Sequence, residues 1–310
     1  MAKQQKKVVI SAAITGGVHT PTMSPYLPAN ADQIIEQAVE AAKAGAAVVH
    51  IHARRDDGCP TADYDTFEKI LSGIKKQSDV VIGITTGGAQ GMTTEERFAV
   101  IERFKPEMAS ANGGSMNFNF SALAEGMQAK HDWEIPFIER TWDNVFKNTF
   151  KDIEYCITTM QKCNTRPEFE VFDYGQLSNI AYFFKRNKIE KPIYLQFVPG
   201  IGGGMPMSFE GLSFMIDQAK KTFGQDVQYS TVAAGRRMFR FSTYMALNGG
   251  NVRVGMEDGL YIKPNGELAK NNAQQVTKIK DILEMLDYEI ASPDDAREQL
   301  ALKGKNNVEF

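Results

Sequence analysis

The chain has 310 residues, 43% of them hydrophobic and 24% charged, a balance that supports a large buried core. Its formal net charge of -3 gives no general attraction for nucleic acid or an anionic membrane, so neither is expected as a partner. The three cysteines, Cys59, Cys156 and Cys163, suit a reducing compartment better than a disulfide framework. The apolar run after the basic MAKQQKK start is too short for a secretion signal or a membrane span, and a cytoplasmic chain is expected.

In chain order, short β-branched runs alternate with helical patterns, and no linker, repeat or low-complexity segment interrupts them. VVISAAIT (8–15) leads through a proline-containing loop to ADQIIEQAVEAAKAG, AAVVHIHA (46–53) to YDTFEKILSGIKK, and VVIGITT (80–86) to TTEERFAVIERF. EMASAN (107–112) precedes WDNVFKNTFKDIEYCITTMQK (142–162), read as one helical pattern, and EFEVFDY (168–174) precedes QLSNIAYFFKRN. PIYLQFV (192–198), VQYSTVAA (227–234) and NVRVGME (251–257) lead to SFEGLSFMIDQAKKTF, RRMFRFSTYMALNGG and NAQQVTKIKDILEML. Apolar residues recur in these segments at three-to-four spacing, and several segments stop at Gly or Asn. Eight such pairs predict a single-domain (β/α)8 TIM barrel over residues 1–310. The tail SPDDAREQLALKG predicts one additional helix capped by Ser292. An open doubly wound sheet is the alternative, but its glycine-rich dinucleotide loop is missing after the first strand.

A barrel places chemistry at the carboxyl ends of its strands. His50 and His52 close the second strand, Thr85 and Thr86 the third, Ser110 and Asn112 the fourth, Glu170 and Asp173 the fifth, and Glu257 with Asp258 the eighth. Residues two apart in a strand share a face, so His50 and His52 can converge on one ion. Their third ligand is a carboxylate or His19, because His131 lies in a polar connection. Glu257 is the best carboxylate, since alternation puts Arg253, Gly255 and Glu257 on one face of a strand two removed from the histidines. Two histidines and a carboxylate fit catalytic Zn²⁺ and equally non-haem Fe(II). Blander readings stand beside this one: H-x-H as local hydrogen bonding or an anion site, Glu-Asp as a solvated turn, TTGGAQG as turn chemistry, and PGIGGGMP as a weak phosphate-cradle signal.

The strings TGGVHTPTMSPYLP, VVHIHARRDDGCPT, ITTGGAQGMTTEERF, KPEMASANGGSMNF, EFEVFDYGQL, QFVPGIGGGMP, VAAGRRMF and GGNVRVGMEDGLYI resemble the β-keto acid cleavage enzyme family over nearly the whole chain. The resemblance implies a zinc-bearing TIM barrel in a homotetramer or other homo-oligomer. It implies conversion of a β-keto acid and acetyl-CoA to acetoacetate and an acyl-CoA. Carried position by position, it implies His50, His52 and Glu257 as metal ligands, Asp258 as base and Arg253 as the residue that orients it. Thr85 and Ser110 are the implied hydroxyls at the substrate's carboxyl end, and Thr86, Gly87, Asn112 and Val18 complete the expected substrate-binding set. The member that cleaves 3-keto-5-aminohexanoate carries a glutamate where this chain has Val18, and a valine cannot pair with an ammonium. A different β-keto acid is therefore expected, with Glu170, Asp173 or His19 as the groups available to a polar tail. The competing readings are a metal-dependent hydrolase of the amidohydrolase type, which typically carries further histidines late in the chain, and a non-catalytic small-molecule-binding barrel.

Overall fold

A computed structural model describes residues 6–88 and 91–310; most of the basic N-terminal stretch and Ala89 and Gln90 of TTGGAQG lie outside the described residues. The eight predicted strands all form: β1 (Ile10–Ala13), β2 (Val48–Ile51), β3 (Val81–Ile84), β4 (Met108–Asn112), β5 (Arg166–Val171), β6 (Tyr194–Phe197), β7 (Gln228–Thr231) and β8 (Val252–Val254). They pair in parallel in the order β7-β6-β5-β4-β3-β2-β1-β8. The ring is nearly closed, and Asn251 N donates to Tyr229 O across the remaining seam at 2.8 Å. The chain is thus a TIM-like barrel, and no helix among its described residues is long and apolar enough to cross a membrane.

Outer helices follow the strands because each carries one apolar stripe that the strands' outer faces bury. They include α1 (Ala31–Ala44), α2 (Tyr64–Gln77) and α3 (Thr94–Phe104). The connection after β4 differs from the single helix expected over 142–162. A short helix α4 (Glu134–Glu139) and a 3₁₀ turn (Arg140–Asp143) come first, and Val145–Phe146 then pairs with Met116–Asn117 as a two-stranded ribbon. Only then does α5 (Phe150–Lys162) begin. The physical reason is a capping box: Thr149 accepts from Asp152 N while the Asp152 carboxylate accepts from Thr149 N, which fixes the first turn there. Helices α6 (Tyr174–Phe184), α7 (Phe209–Phe223), α8 (Met238–Leu247) and α9 (Asn272–Met285) complete the ring.

The predicted tail helix, α10 (Pro293–Leu300), has Ser292 as its N-cap, again within a capping box. Rather than extending the outer ring, it plugs the barrel floor: Ala291, Ala296 and Leu300 cluster with the inward-facing Val9, Val48, Val81, Met108 and Tyr194. Arg297 fastens it through a two-pronged ion pair to Glu107 at 2.9 and 3.0 Å. With this apolar plug below, the cavity lined by the polar groups lies toward the strands' carboxyl ends.

Candidate active site

Two chain segments flanking β1 bring the ligand candidates together. His50 lies within β2, and His52 stands one residue beyond its end; their rings are 5.2 Å apart and inclined by 65°. Glu257 arrives by a turn rather than by the strand alternation expected over 251–257. β8 stops at Val254, Gly255 turns at φ +144, and Glu257 N then donates to Ala13 O at 3.1 Å. A Cβ at position 255 would lie 2.0 Å from Ala13 O, so only glycine lets the turn lie against β1. Glu257 Oε1 is 3.6 Å from His50 Nε2 and 3.5 Å from His52 Nε2, and one ligand atom from each residue lies within 4.8 Å of the others.

The donor set fits a divalent cation. Burial drives the His50 imidazolium down to about 3, so its ring is neutral and its lone pair available. Burial by itself would raise Glu257, but the adjoining imidazoles and Arg253 outweigh it and hold the carboxyl well below the usual range. Glu257 Oε2 is buried with no hydrogen-bond partner among the described residues, an acceptor whose desolvation a cation would offset. The two-histidine, one-carboxylate set suits Zn²⁺.

Arg253 organises the acids around it. Its Nε and Nη2 donate to the two Asp258 oxygens at 2.9 Å each, Nη2 also to Glu257 Oε1 at 2.7 Å, and Nη1 to Gln196 Oε1 at 2.9 Å. Gln196 in turn donates to Glu168 Oε1 and Ser230 Oγ, which fixes its amide. Burial raises the Asp258 carboxyl above the ordinary aspartate range while Arg253 pulls the other way, leaving an aimed carboxylate more basic than one in water. Burial pushes Glu168 up to about 7 and Glu170 to about 8.

These groups form one end of a cavity of about 1190 Å³, with Val18, His19, His52, Thr85, Gly87, Asn112, Glu170, Arg253, Glu257 and Asp258 on its wall. The other end runs under the ribbon, along Phe118, Phe120 and Phe146. Thr86 and Ser110 are not on the wall; they lock to each other, Thr86 N donating to Ser110 Oγ at 3.1 Å and Thr86 Oγ1 to Ser110 O at 2.8 Å. His19 stands apart from the ligand trio, its Nδ1 on Met256 O. Asp173 is not among the residues on that wall; its carboxylate caps α6 by accepting from Gln176 N at 3.1 Å.

Two residues that shape the site were not picked out from the sequence. Gln196 is the polar exception within PIYLQFV, and a lone amide in an apolar strand is a signal for a buried polar network. Arg54 continues the H-x-H alternation and is almost wholly buried; it donates to Thr15 Oγ1 and to the carbonyls of Thr15, Gly16, His19 and Gly58, and so holds the loop after β1 over the trio.

A TIM barrel with a candidate two-histidine, one-carboxylate metal centre beside a buried arginine–aspartate pair is the class that fold and site define. Within that class the chain belongs to the β-keto acid cleavage enzyme family, whose profile its residues 7–302 match. A Paraburkholderia graminis protein described as 3,5-dioxohexanoate:acetyl-CoA acetone transferase is 45% identical over 308 residues, 99% of each chain. A Fusobacterium nucleatum protein described as 3-keto-5-aminohexanoate cleavage enzyme is 34% identical, over 96% of this chain and 99% of that one. Among solved structures, the binary complex of ObcA with oxaloacetate superposes with a TM-score of 0.74 over 90% of this chain and 68% of that chain; at 19% identity the likeness concerns the fold.

Proposed function

We propose that the chain is a zinc-dependent enzyme that converts a β-keto acid and acetyl-CoA to acetoacetate and a new acyl-CoA. The observation that carries this reading is the convergence of His50, His52 and Glu257 beside the Arg253–Asp258 pair at one end of the cavity. The relatives described with acetyl-CoA as second reactant, among them a 3-oxoadipate:acetyl-CoA acetyltransferase of Cupriavidus necator, support the choice of co-substrate.

His50, His52 and Glu257 hold the ion, which when bound supplies Lewis-acid polarisation of the substrate's keto oxygen. Asp258 takes a proton from the carbon between the keto group and the carboxylate, and Arg253 keeps that base ionised and aimed. The carbanion attacks the thioester carbonyl of acetyl-CoA, and the CoA thiolate leaves. The thiolate then adds to the original keto carbon, whose bond to the attacking carbon breaks. Protonated Asp258 returns its proton to the carbanion released by that cleavage, giving acetoacetate and the acyl-CoA with no enzyme nucleophile required. Thr85 Oγ1, on the cavity wall, accepts from Gly87 N, so its hydroxyl retains its proton for a substrate oxygen. Val18 makes the preferred acid one without an ammonium at its distal end, unlike 3-keto-5-aminohexanoate.

The test is mass-spectrometric detection of products from a panel of β-keto acids. Acetoacetate and a matching acyl-CoA are expected only when acetyl-CoA is present. Cleavage that proceeds without acetyl-CoA would favour the hydrolase reading.

A further inference from the structure

We infer that His19 reads the distal end of the keto acid as a hydrogen-bond acceptor, selecting substrates with a neutral hydroxyl or enol two carbons beyond the keto group. This rests on the β-keto acid reading above and names the substrate class for it.

The tautomer follows from geometry. His19 Nδ1 lies 3.0 Å from the carbonyl oxygen of Met256, and a carbonyl only accepts, so Nδ1 carries the ring proton. Nε2 is then a bare lone pair. His19 stands on the cavity wall, with the backbone of Glu257 as a further neighbour of its ring. The ring is also within a substrate's length of the trio. Its anchor, Met256, directly precedes Glu257, and a Cβ on Gly17 would sit 3.4 Å from His52 Nδ1. Two residues of chain span at most about 7 Å, so His19 is within reach of a six-carbon acid whose head is at the metal ligands.

The surroundings decide which tail fits. Val18 adds an apolar wall beside the ring. Beneath both lies Arg54, whose side-chain hydrogen bonds go to four carbonyls and the Thr15 hydroxyl, including 2.8 Å to the carbonyl of His19 itself. It makes no ion pair among the described residues, so its positive charge stands uncompensated by direct contact under the loop. A distal ammonium meets that charge with no anion from this loop to pair with. A distal ketone in its carbonyl form turns a lone pair toward a lone pair. A hydroxyl donates to Nε2 directly, and a 3,5-diketo acid does so through its enol.

The experiment compares 5-hydroxy-3-oxohexanoate with 3-oxohexanoate on the zinc-loaded enzyme. Dissociation constants come from calorimetry without acetyl-CoA, and kcat/KM values are measured with it. The wild type should favour the hydroxy acid roughly tenfold in both, the scale of leaving one polar group in a site unpaired. His19→Leu should bring the ratio close to one, and His19→Gln, whose amide oxygen accepts, should restore part of it. A wild-type ratio near one overturns the assignment without any variant, and so does a ratio unchanged in His19→Leu. Absence of turnover with either acid would instead count against the proposed reaction, while the calorimetric ratio would still decide the role of His19.

Discussion

Replacing Asp258 with asparagine keeps the side chain's shape and removes its charge. In the native site both carboxylate oxygens accept from Arg253 at 2.9 Å; an amide offers one oxygen, so one guanidinium N–H faces an NH₂ and loses its acceptor. Breaking a buried pair costs about 3–5 kcal/mol when the remaining charge is stranded. Arg253 is not stranded, because Glu257 at 2.7 Å and Gln196 at 2.9 Å still accept from it, so about 2 kcal/mol is expected, too little to unfold a domain stable by ~5–15 kcal/mol. The ligand trio is unchanged, and zinc content by elemental analysis should equal that of the wild type. Loss of a general base should lower kcat by about 10²–10⁴-fold. The step itself is read by NMR in D₂O without acetyl-CoA, where Asp258→Asn should lose the enzyme's acceleration of proton exchange at the carbon between the two carbonyls. A zinc-replete Asp258→Asn enzyme with kcat within about threefold of wild type would refute the reasoning, since such a change is far below any base contribution.

Gly16→Ala should weaken zinc binding at least about tenfold in a chelator competition, a common scale for disturbing a ligand's support; Gly16 has φ +64, and a Cβ there would lie 2.4 Å from Glu257 Cγ. Unchanged affinity would mean that the loop does not brace that ligand. Glu168 is raised from the ordinary 4.5 to about 7, so between those pH values the folded chain keeps a proton that the unfolded chain releases, and stability falls as pH rises. Glu168→Gln removes that loss; urea titrations should show the variant gaining on wild type between pH 5 and pH 8, by up to about 3 kcal/mol at 1.36 kcal/mol per unit, whereas a pH-independent difference would contradict it. Leu300→Ala empties part of the barrel floor and should cost about 2–5 kcal/mol of stability with little change in kcat, because Leu300 is fully buried in the plug at the end opposite the site; a comparable loss of kcat would show that the plug also shapes the site.

The barrel was legible because each strand is a short β-branched run and each helix an apolar stripe, and periodicity reports both directly. The histidine pair was legible for the same reason: residues 50 and 52 differ by one full strand period. Glu257 was picked out by an alternation that the chain does not follow, because Gly255 ends the strand and a turn delivers the carboxylate. The break before α5 was written in Thr149 and Asp152, but the apolar spacing upstream resembles a helix until the ribbon partner at Met116–Asn117 is known. Partners such as Gln196 to Arg253, 57 positions apart, or Arg54 to the carbonyl of His19, depend on which strands adjoin and which loops fold back. No local pattern encodes such pairings.

The most direct measurement follows the carbon atoms. With both acetyl carbons of acetyl-CoA labelled with ¹³C and an unlabelled β-keto acid, the account predicts acetoacetate labelled at its keto and methyl carbons, and an unlabelled acyl chain on CoA. Label recovered only as acetate, or acetoacetate formed without it, would contradict bond formation between the two substrates.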